Sequence, residues 1–165
     1  MSTIYFGVEQ DTLAPTGTFD VGVFLDTDSQ LVNAVQGTII LPSASADVIR
    51  IQDGNSIVSY WIKKPVADCT DMCRIEFAGI FPGGFNGADG PLFTLILEAK
   101  QTGTFTLSTE DEQILLHDGL GAATEVRSSP LSLAVVDSVP VSSYIAEVDA
   151  TAPQSFVPVL GSDLT

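Results

Sequence analysis

Residues suited to acid–base or nucleophilic chemistry are few in this sequence. The single histidine, His117, lies in the stretch LLHDGLG, so any Ser-His-Asp or Cys-His site would have to use it. No G-x-S-x-G nucleophile motif accompanies it. Carboxylates are plentiful, but no two stand out as the pair that a glycosidase fixes in a sugar-binding cleft. The sequence therefore predicts no catalytic site, and His117 is interpreted as a polar residue at a strand end.

The two cysteines, Cys69 and Cys73, lie close together in the polar stretch CTDMC. A disulfide between them would close a small ring and stiffen one loop without joining distant parts of the chain. Free thiols, or a metal or redox site, are the alternatives. Zinc needs four ligands, however, and C-x-x-C is the more usual redox spacing. The disulfide is therefore the preferred interpretation.

Several acidic loops could supply the oxygen ligands that calcium requires. None fits the D-x-[DN]-x-[DN]-G loop with its closing glutamate. Because a sandwich can assemble a site from separate loops, structural calcium stays open beside the alternative of ordinary solvated loops; no other cofactor is predicted. The candidate ligands are Asp26, Asp28, Asn86 and Asp89, with further acidic residues at 68, 71 and 110–112.

The charge balance restricts the kinds of partner that the protein can have. Among 165 residues, six Lys and Arg face 21 Asp and Glu, giving a formal net charge of -15. This argues against nucleic acid and against anionic membrane surfaces, both of which attract cationic side chains. It is compatible with solubility, with cations or with a basic protein partner. Neither a membrane span nor a leader is evident. The sequence is therefore either that of a cytoplasmic protein or a piece of a longer exported protein, and we expect the second.

Alternation of apolar and polar residues predicts an antiparallel β-sandwich, because no window holds a helical period longer than two turns. Residues 1–137 are predicted to form the domain and residues 138–165 a linker or the start of a following module. Nine strands are predicted, near residues 3–10, 18–27, 32–42, 46–52, 56–64, 74–81, 91–100, 103–117 and 130–137.

The stretch SIVSYWIKK carries large apolar side chains on both faces of its predicted strand. Val58, Tyr60 and Ile62 would share one face, whereas Ile57 and Trp61 would share the other. Tyr and Trp are common anchors of protein interfaces. A lone Trp in a sandwich also packs frequently into the core. The sequence leaves both roles open for Trp61.

Four stretches carry a resemblance to a known family: VNAVQGTI, SIVSYWI, GGFNGADGPLFTL and LLHDGLG. In their order and spacing, between about Tyr5 and Val136, the sequence resembles the cohesin-like domains of bacterial and archaeal surface proteins. The resemblance implies a nine-stranded jelly-roll β-sandwich, a fold shared with a superfamily of carbohydrate-binding modules. It further implies no catalysis, an extracellular or cell-surface location, and a protein partner of the dockerin kind.

The same resemblance implies that one sheet makes the contact, built here from residues 32–41, 57–64, 74–81 and 104–117. A carbohydrate-binding module is an alternative, although Tyr5, Tyr60, Trp61 and Tyr144 are the only Tyr and Trp residues. A passive structural spacer is another. The residues predicted to contact the partner are Tyr60, Trp61, Ile62, Lys63, Arg74 and Glu76.

Overall fold

The computed structural model of the chain describes residues 1–137. The predicted linker, residues 138–165, lies outside the described residues. Within residues 1–137 there is no helix, and hence none long and apolar enough to cross a membrane. Eleven strands follow one another along the described chain: β1 (Ser2–Gly7), β2 (Thr12–Leu13), β3 (Thr18–Asp26), β4 (Val32–Pro42), β5 (Ala46–Gln52), β6 (Tyr60–Cys69), β7 (Met72–Phe85), β8 (Gly90–Ala99), β9 (Gly103–Leu116), β10 (Val126–Ser128) and β11 (Leu131–Val135).

These strands form two sheets, which confirms the predicted β-sandwich. The five-stranded sheet has the order β10-β1-β3-β8-β5, and the six-stranded sheet has the order β2-β11-β9-β4-β7-β6. Each of the nine predicted strands has a counterpart. The two additional strands, β2 and β10, are only two and three residues long and pair in parallel with β11 and β1. Segments this short carry no alternation from which a strand could be predicted.

The core lies between the sheets and is built by period-two alternation. Val23 on β3, Ile39 on β4 and Leu95 on β8 are fully buried, whereas their neighbours along each strand point outward. A single cluster of buried apolar residues connects both sheets from Ile4 to Val135. Burial of this cluster away from water is the main force that holds the sheets face to face.

The fifth predicted strand differs most from the structure. It was expected to cover residues 56–64, but β6 begins at Tyr60 and continues through Pro65 to Cys69. Proline has no N–H for a sheet hydrogen bond, and it is tolerated because β6 lies at the edge of its sheet. The register of β6 against β7 shifts on both sides of Lys63, so the two strands do not pair regularly around the proline.

Candidate functional site

The four segments predicted to form a contact sheet correspond to four neighbouring strands, in the order β6-β7-β4-β9. Their pairing register places outward-facing side chains in four transverse rows. We call the surface formed by these rows the outer face. From one end of the sheet to the other, the rows are Tyr60–Ile80–Ala34–Leu115, Lys63–Ala78–Gln36–Gln113, Val66–Glu76–Thr38–Glu110 and Asp68–Arg74–Ile40–Ser108.

The first of these rows is wholly apolar except for the tyrosine hydroxyl, and we call it the apolar row. Tyr60 is 63% exposed, and Ile62, next to it at an irregularity of β6, is 67% exposed. Val66, in the third row, is also 67% exposed. Large apolar side chains in neighbouring positions on a solvated surface are typical of contact sites for other molecules.

Trp61 lies on the other side of β6 from Tyr60 and Ile62. It is partly buried against the core, where its ring meets that of Phe93 edge-on at a centroid distance of 6.1 Å. Its partner across the strands is Gly79, and a methyl group there would approach Trp61 Cε3 to 3.1 Å. The tryptophan therefore packs beneath the outer face and does not form part of its exposed surface.

Three of the six Lys and Arg residues of the chain lie on β6 and β7, and each is paired with a carboxylate. Lys63 binds Glu76, and the hydrogen bond from Lys63 lowers the pKa of that carboxyl. Arg74 binds Glu110 at 2.8 Å; this hydrogen bond raises the pKa of the guanidinium. Lys64 Nζ lies 3.6 Å from the Asp53 carboxylate. Exposed ion pairs of this kind add little to the stability of the fold. Their carboxylates nevertheless balance the positive charge of the three cationic side chains.

A shallow depression of about 300 Å³ lies in the middle of the outer face. Ala78 and Asp111 are among the residues that line it. Asp111 adopts a left-handed backbone (φ 56°) where β9 shifts register against β4. Among the described residues, Asp111 forms no ion pair, although Arg74 is near enough to feel its charge. A second cavity, of about 330 Å³, lies beside β2 and away from this face.

Cys69 and Cys73 are joined by a disulfide in the structure, with their Cα atoms 4.0 Å apart. They are cross-strand partners at the closed end of the β6–β7 hairpin. The stretch CTDMC is thus a strand end, a tight turn and a strand start, and not a polar loop. Cys73 is buried in the core, whereas Cys69 is exposed.

His117 lies just after β9 and is exposed. Its Nδ1 is 3.0 Å from the Asn33 side-chain nitrogen, and its backbone N–H donates to the Leu31 carbonyl. The neighbouring Asp118 carboxylate accepts from the Leu120 N–H. These contacts lie at a turn that follows the end of β9, and His117 is a polar residue at a strand end in the structure.

The two loops that contain the calcium candidates lie side by side, because the Thr27 N–H donates to the Gly87 carbonyl at 2.9 Å. Each of the four candidate side chains contacts another group of the protein. Across residues 1–137, no group of three or more His, Cys, Asp and Glu side chains is placed to hold a metal ion. The contacts are Asp26 with the Asp28 N–H, Asp28 with the N-terminal amine, Asn86 with Thr27 and Asp89 with Tyr5.

The structure thus brings five of the six predicted contact residues to the outer face: Tyr60, Ile62, Lys63, Arg74 and Glu76. It also adds Ile80, Ala34, Leu115 and Asp111, which the sequence analysis did not place among the contact residues. For Ile80, Ala34 and Leu115, the alternation of apolar and polar residues indicates which face of its own strand each side chain takes. Their alignment with Tyr60 depends on register between strands distant in sequence, for which the sequence contains no direct signal.

No family model matches this sequence, and no curated protein sequence matches it either. Several solved structures, however, have a similar fold. The seventh ScaB type I cohesin from Pseudobacteroides cellulosolvens superimposes with a TM-score of 0.67 at 12% identity, covering 88% of this chain and 98% of that one. A non-cellulosomal cohesin from the archaeon Archaeoglobus fulgidus gives 0.61 at 19% identity, covering 82% and 91%.

A third similar structure is a cohesin–dockerin complex from Clostridium thermocellum, Coh-OlpA with Doc918. It gives a TM-score of 0.58 at 16% identity, covering 82% of this chain and 99% of that one. At sequence identities this low, the comparison shows a shared fold and nothing further. The described part of the chain has the cohesin-like jelly-roll fold.

Proposed function

We propose that this protein is a non-catalytic docking module that binds a protein partner, of the dockerin kind, through the outer face of its six-stranded sheet. The domain that carries this function is residues 1–137. The observation that carries the proposal is the exposure of three apolar side chains of β6 on this face: Tyr60, Ile62 and Val66 are 63%, 67% and 67% exposed.

The distribution of charge on the molecule supports this choice of face. Half of the Lys and Arg residues of a chain with net charge -15 are gathered on β6 and β7. The ion pairs of Lys63 with Glu76 and of Arg74 with Glu110 place polar contacts beside the apolar side chains of this face. Protein interfaces commonly combine a few apolar anchors with such a polar rim.

The structural comparison supports the class of partner. One of the similar structures shows a cohesin bound to a dockerin, and the proposal extends that mode of recognition to this chain. We propose further that the protein acts outside the cell or at its surface, as part of a larger protein.

The direct test is binding of the full chain to a panel of dockerin modules, including Doc918, by biolayer interferometry. We expect at least one to bind and Ile62→Asp to weaken it by about tenfold or more, because a charge would be buried at an apolar anchor. Ile49→Asp is the matched control, since Ile49 is 51% exposed on the other sheet. Equal weakening by both substitutions, or binding that survives Ile62→Asp, would argue against this face. If no dockerin binds, a passive spacer becomes the better description.

Polysaccharide is a second candidate ligand, favoured by one observation on the opposite sheet. There the rings of Tyr5 and Phe24 are stacked, with centroids 5.4 Å apart and an angle of 23° between their planes. Gly22 leaves room for the Phe24 ring, because a methyl group at that position would approach Phe24 Cε2 to 2.5 Å. Affinity electrophoresis in soluble polysaccharides tests this candidate. Retardation that Phe24→Ala abolishes and Tyr60→Ala preserves would support it.

A further inference from the structure

We propose that the partner of the outer face presents an apolar stripe to the apolar row and a cationic side chain to the central depression beside Asp111. This inference rests on the proposed docking function and adds the chemistry that the partner must have. The apolar row and the depression each contribute one part of the argument.

The apolar row crosses four strands without interruption by a charge. Tyr60, Ile80, Ala34 and Leu115 are paired in register from β6 to β9. With strands about 4.8 Å apart, the row is about 14 Å long. A partner that covers it must therefore supply several apolar side chains along one line, because a single anchor would leave most of the row in water.

The charged side chains of the outer face lie in its second, third and fourth rows. The cations Lys63 and Arg74 are already bound by Glu76 and Glu110. Asp111 lines the same depression, and no described Lys, Arg or His forms an ion pair with it. Asp111 is therefore the carboxylate of the depression that a partner can pair with, and it belongs to a protein whose net charge is -15. A Lys or Arg of the partner complements both the local carboxylate and the field of the whole molecule.

The geometry fixes where that cation lies relative to the apolar stripe. Asp111 falls between the residues that pair with Gln36 and Thr38, in the second and third rows. Rows two residues apart are separated by about 7 Å along the strands. The cationic side chain of the partner is therefore expected about 10 Å from the line of its apolar side chains.

The test uses a yeast-displayed library of a small helical domain randomised at exposed positions, selected for binding to the full 165-residue chain. We expect enriched binders to carry apolar residues together with Lys or Arg. Affinity for Tyr60→Ala and Leu115→Ser should fall by about tenfold, since both ends of the row are covered. Affinity for Asp111→Asn should fall by about three- to tenfold and depend less on salt than that for the wild type.

Asp111→Asn suits this purpose because asparagine tolerates the left-handed backbone of Asp111 and removes only the charge. Asp20→Asn, at an exposed position of β3 on the other sheet, is the matched control for charge. Binders that need Tyr60 and Leu115 but lack Lys and Arg and ignore Asp111→Asn would overturn this inference and leave the docking face intact. Binders indifferent to Tyr60→Ala, Leu115→Ser and Ile62→Asp would overturn the docking face itself.

Discussion

At the scale of single residues, a glycine determines where the only tryptophan of the chain can lie. Gly79 is buried in β7 directly opposite Trp61. A Cβ atom at this position would lie 2.5 Å from Val58 Cγ1 and 3.1 Å from Trp61 Cε3. Neither neighbour can move away easily, because Val58 is β-branched and buried and Trp61 packs on Phe93.

We therefore expect Gly79→Ala to lower the free energy of unfolding by about 1–3 kcal/mol through overpacking. Urea denaturation followed by tryptophan fluorescence measures the change. Gly83→Ala is the control on the same strand, since a Cβ atom there meets nothing within 4 Å. Equal denaturation midpoints for the two variants would show that the space around Trp61 does not depend on this glycine.

The hydroxyl of Tyr5 gives a pH-dependent prediction. Burial raises its pKa to about 12, assisted by its hydrogen bond to Asp89 and by the negative charge of that carboxylate. Tyr5 thus stays protonated in the folded protein at pH values where it would ionise in the unfolded chain. Its contribution to stability is complete below about pH 10 and is lost as the pH rises through about 12.

In a spectrophotometric titration of tyrosinate, Tyr5→Phe should remove the phase with a midpoint of about 12, and Asp89→Asn should move that midpoint towards 10. Between pH 10 and 12, the stability of Tyr5→Phe should fall less steeply than that of the wild type. An unchanged high-pH phase in Tyr5→Phe would mean that another group produces it.

At the scale of strands, the β6–β7 hairpin carries both the exposed apolar residues and the disulfide. The bond between Cys69 and Cys73 closes a loop with a sequence separation of only 4. A loop of this length contributes about 2 kcal/mol in the chain-entropy model. The rest of the core does not depend on this bond, because its buried cluster extends over both sheets.

Reduction by dithiothreitol should therefore lower the free energy of unfolding by about 2 kcal/mol and leave the protein folded. Urea denaturation with and without the reductant measures this, and the intact mass should rise by two hydrogens on reduction. Cys69→Ser is the control, since it has no disulfide to lose. Free thiols in the native, unreduced protein would contradict the bond.

The strands also show how far the sequence predicts this structure. Alternation is a local signal, so it located nine strands and the inward-facing positions of β3, β4 and β8. It could not locate β2 and β10, which exist only because β11 and β1 lie beside them. Nor did it predict the passage of β6 through Pro65, which depends on the edge position of that strand.

The candidate site was predictable to the same local extent. Val58, Tyr60 and Ile62 were expected on one face of their strand and Trp61 on the other. The structure has this arrangement for Tyr60, Ile62 and Trp61, whereas Val58 lies before β6 and is buried in the core. Which of the two faces would be buried depended on Gly79, a residue 18 positions later with no distinctive local pattern. Predicting the apolar row would have required the register of four strands. Predicting the position of Asp111 would have required the irregular pairing of β9 with β4.

At the scale of the whole molecule, the sandwich is closed by β11, the last strand within the described residues. β11 pairs with both β9 and β2, and the Val136 N–H donates to the Leu13 carbonyl at 2.9 Å. Leu133 and Val135 on this strand are buried in the core. A fragment ending before β11 would therefore lose two core side chains and expose an edge of β9, whereas a fragment ending at Asp137 keeps every described contact.

We expect residues 1–137 alone to unfold in one cooperative transition, with a free energy of unfolding within about 0.5 kcal/mol of the full chain. A second fragment, residues 1–129, should lack a cooperative transition because β11 is missing. Urea denaturation of the three proteins, followed by tryptophan fluorescence, provides the comparison. A lower denaturation midpoint for residues 1–137 than for the full chain would mean that residues 138–165 stabilise the sandwich. The domain boundary would then lie beyond Asp137, and the docking module would include part of the segment predicted to be a linker.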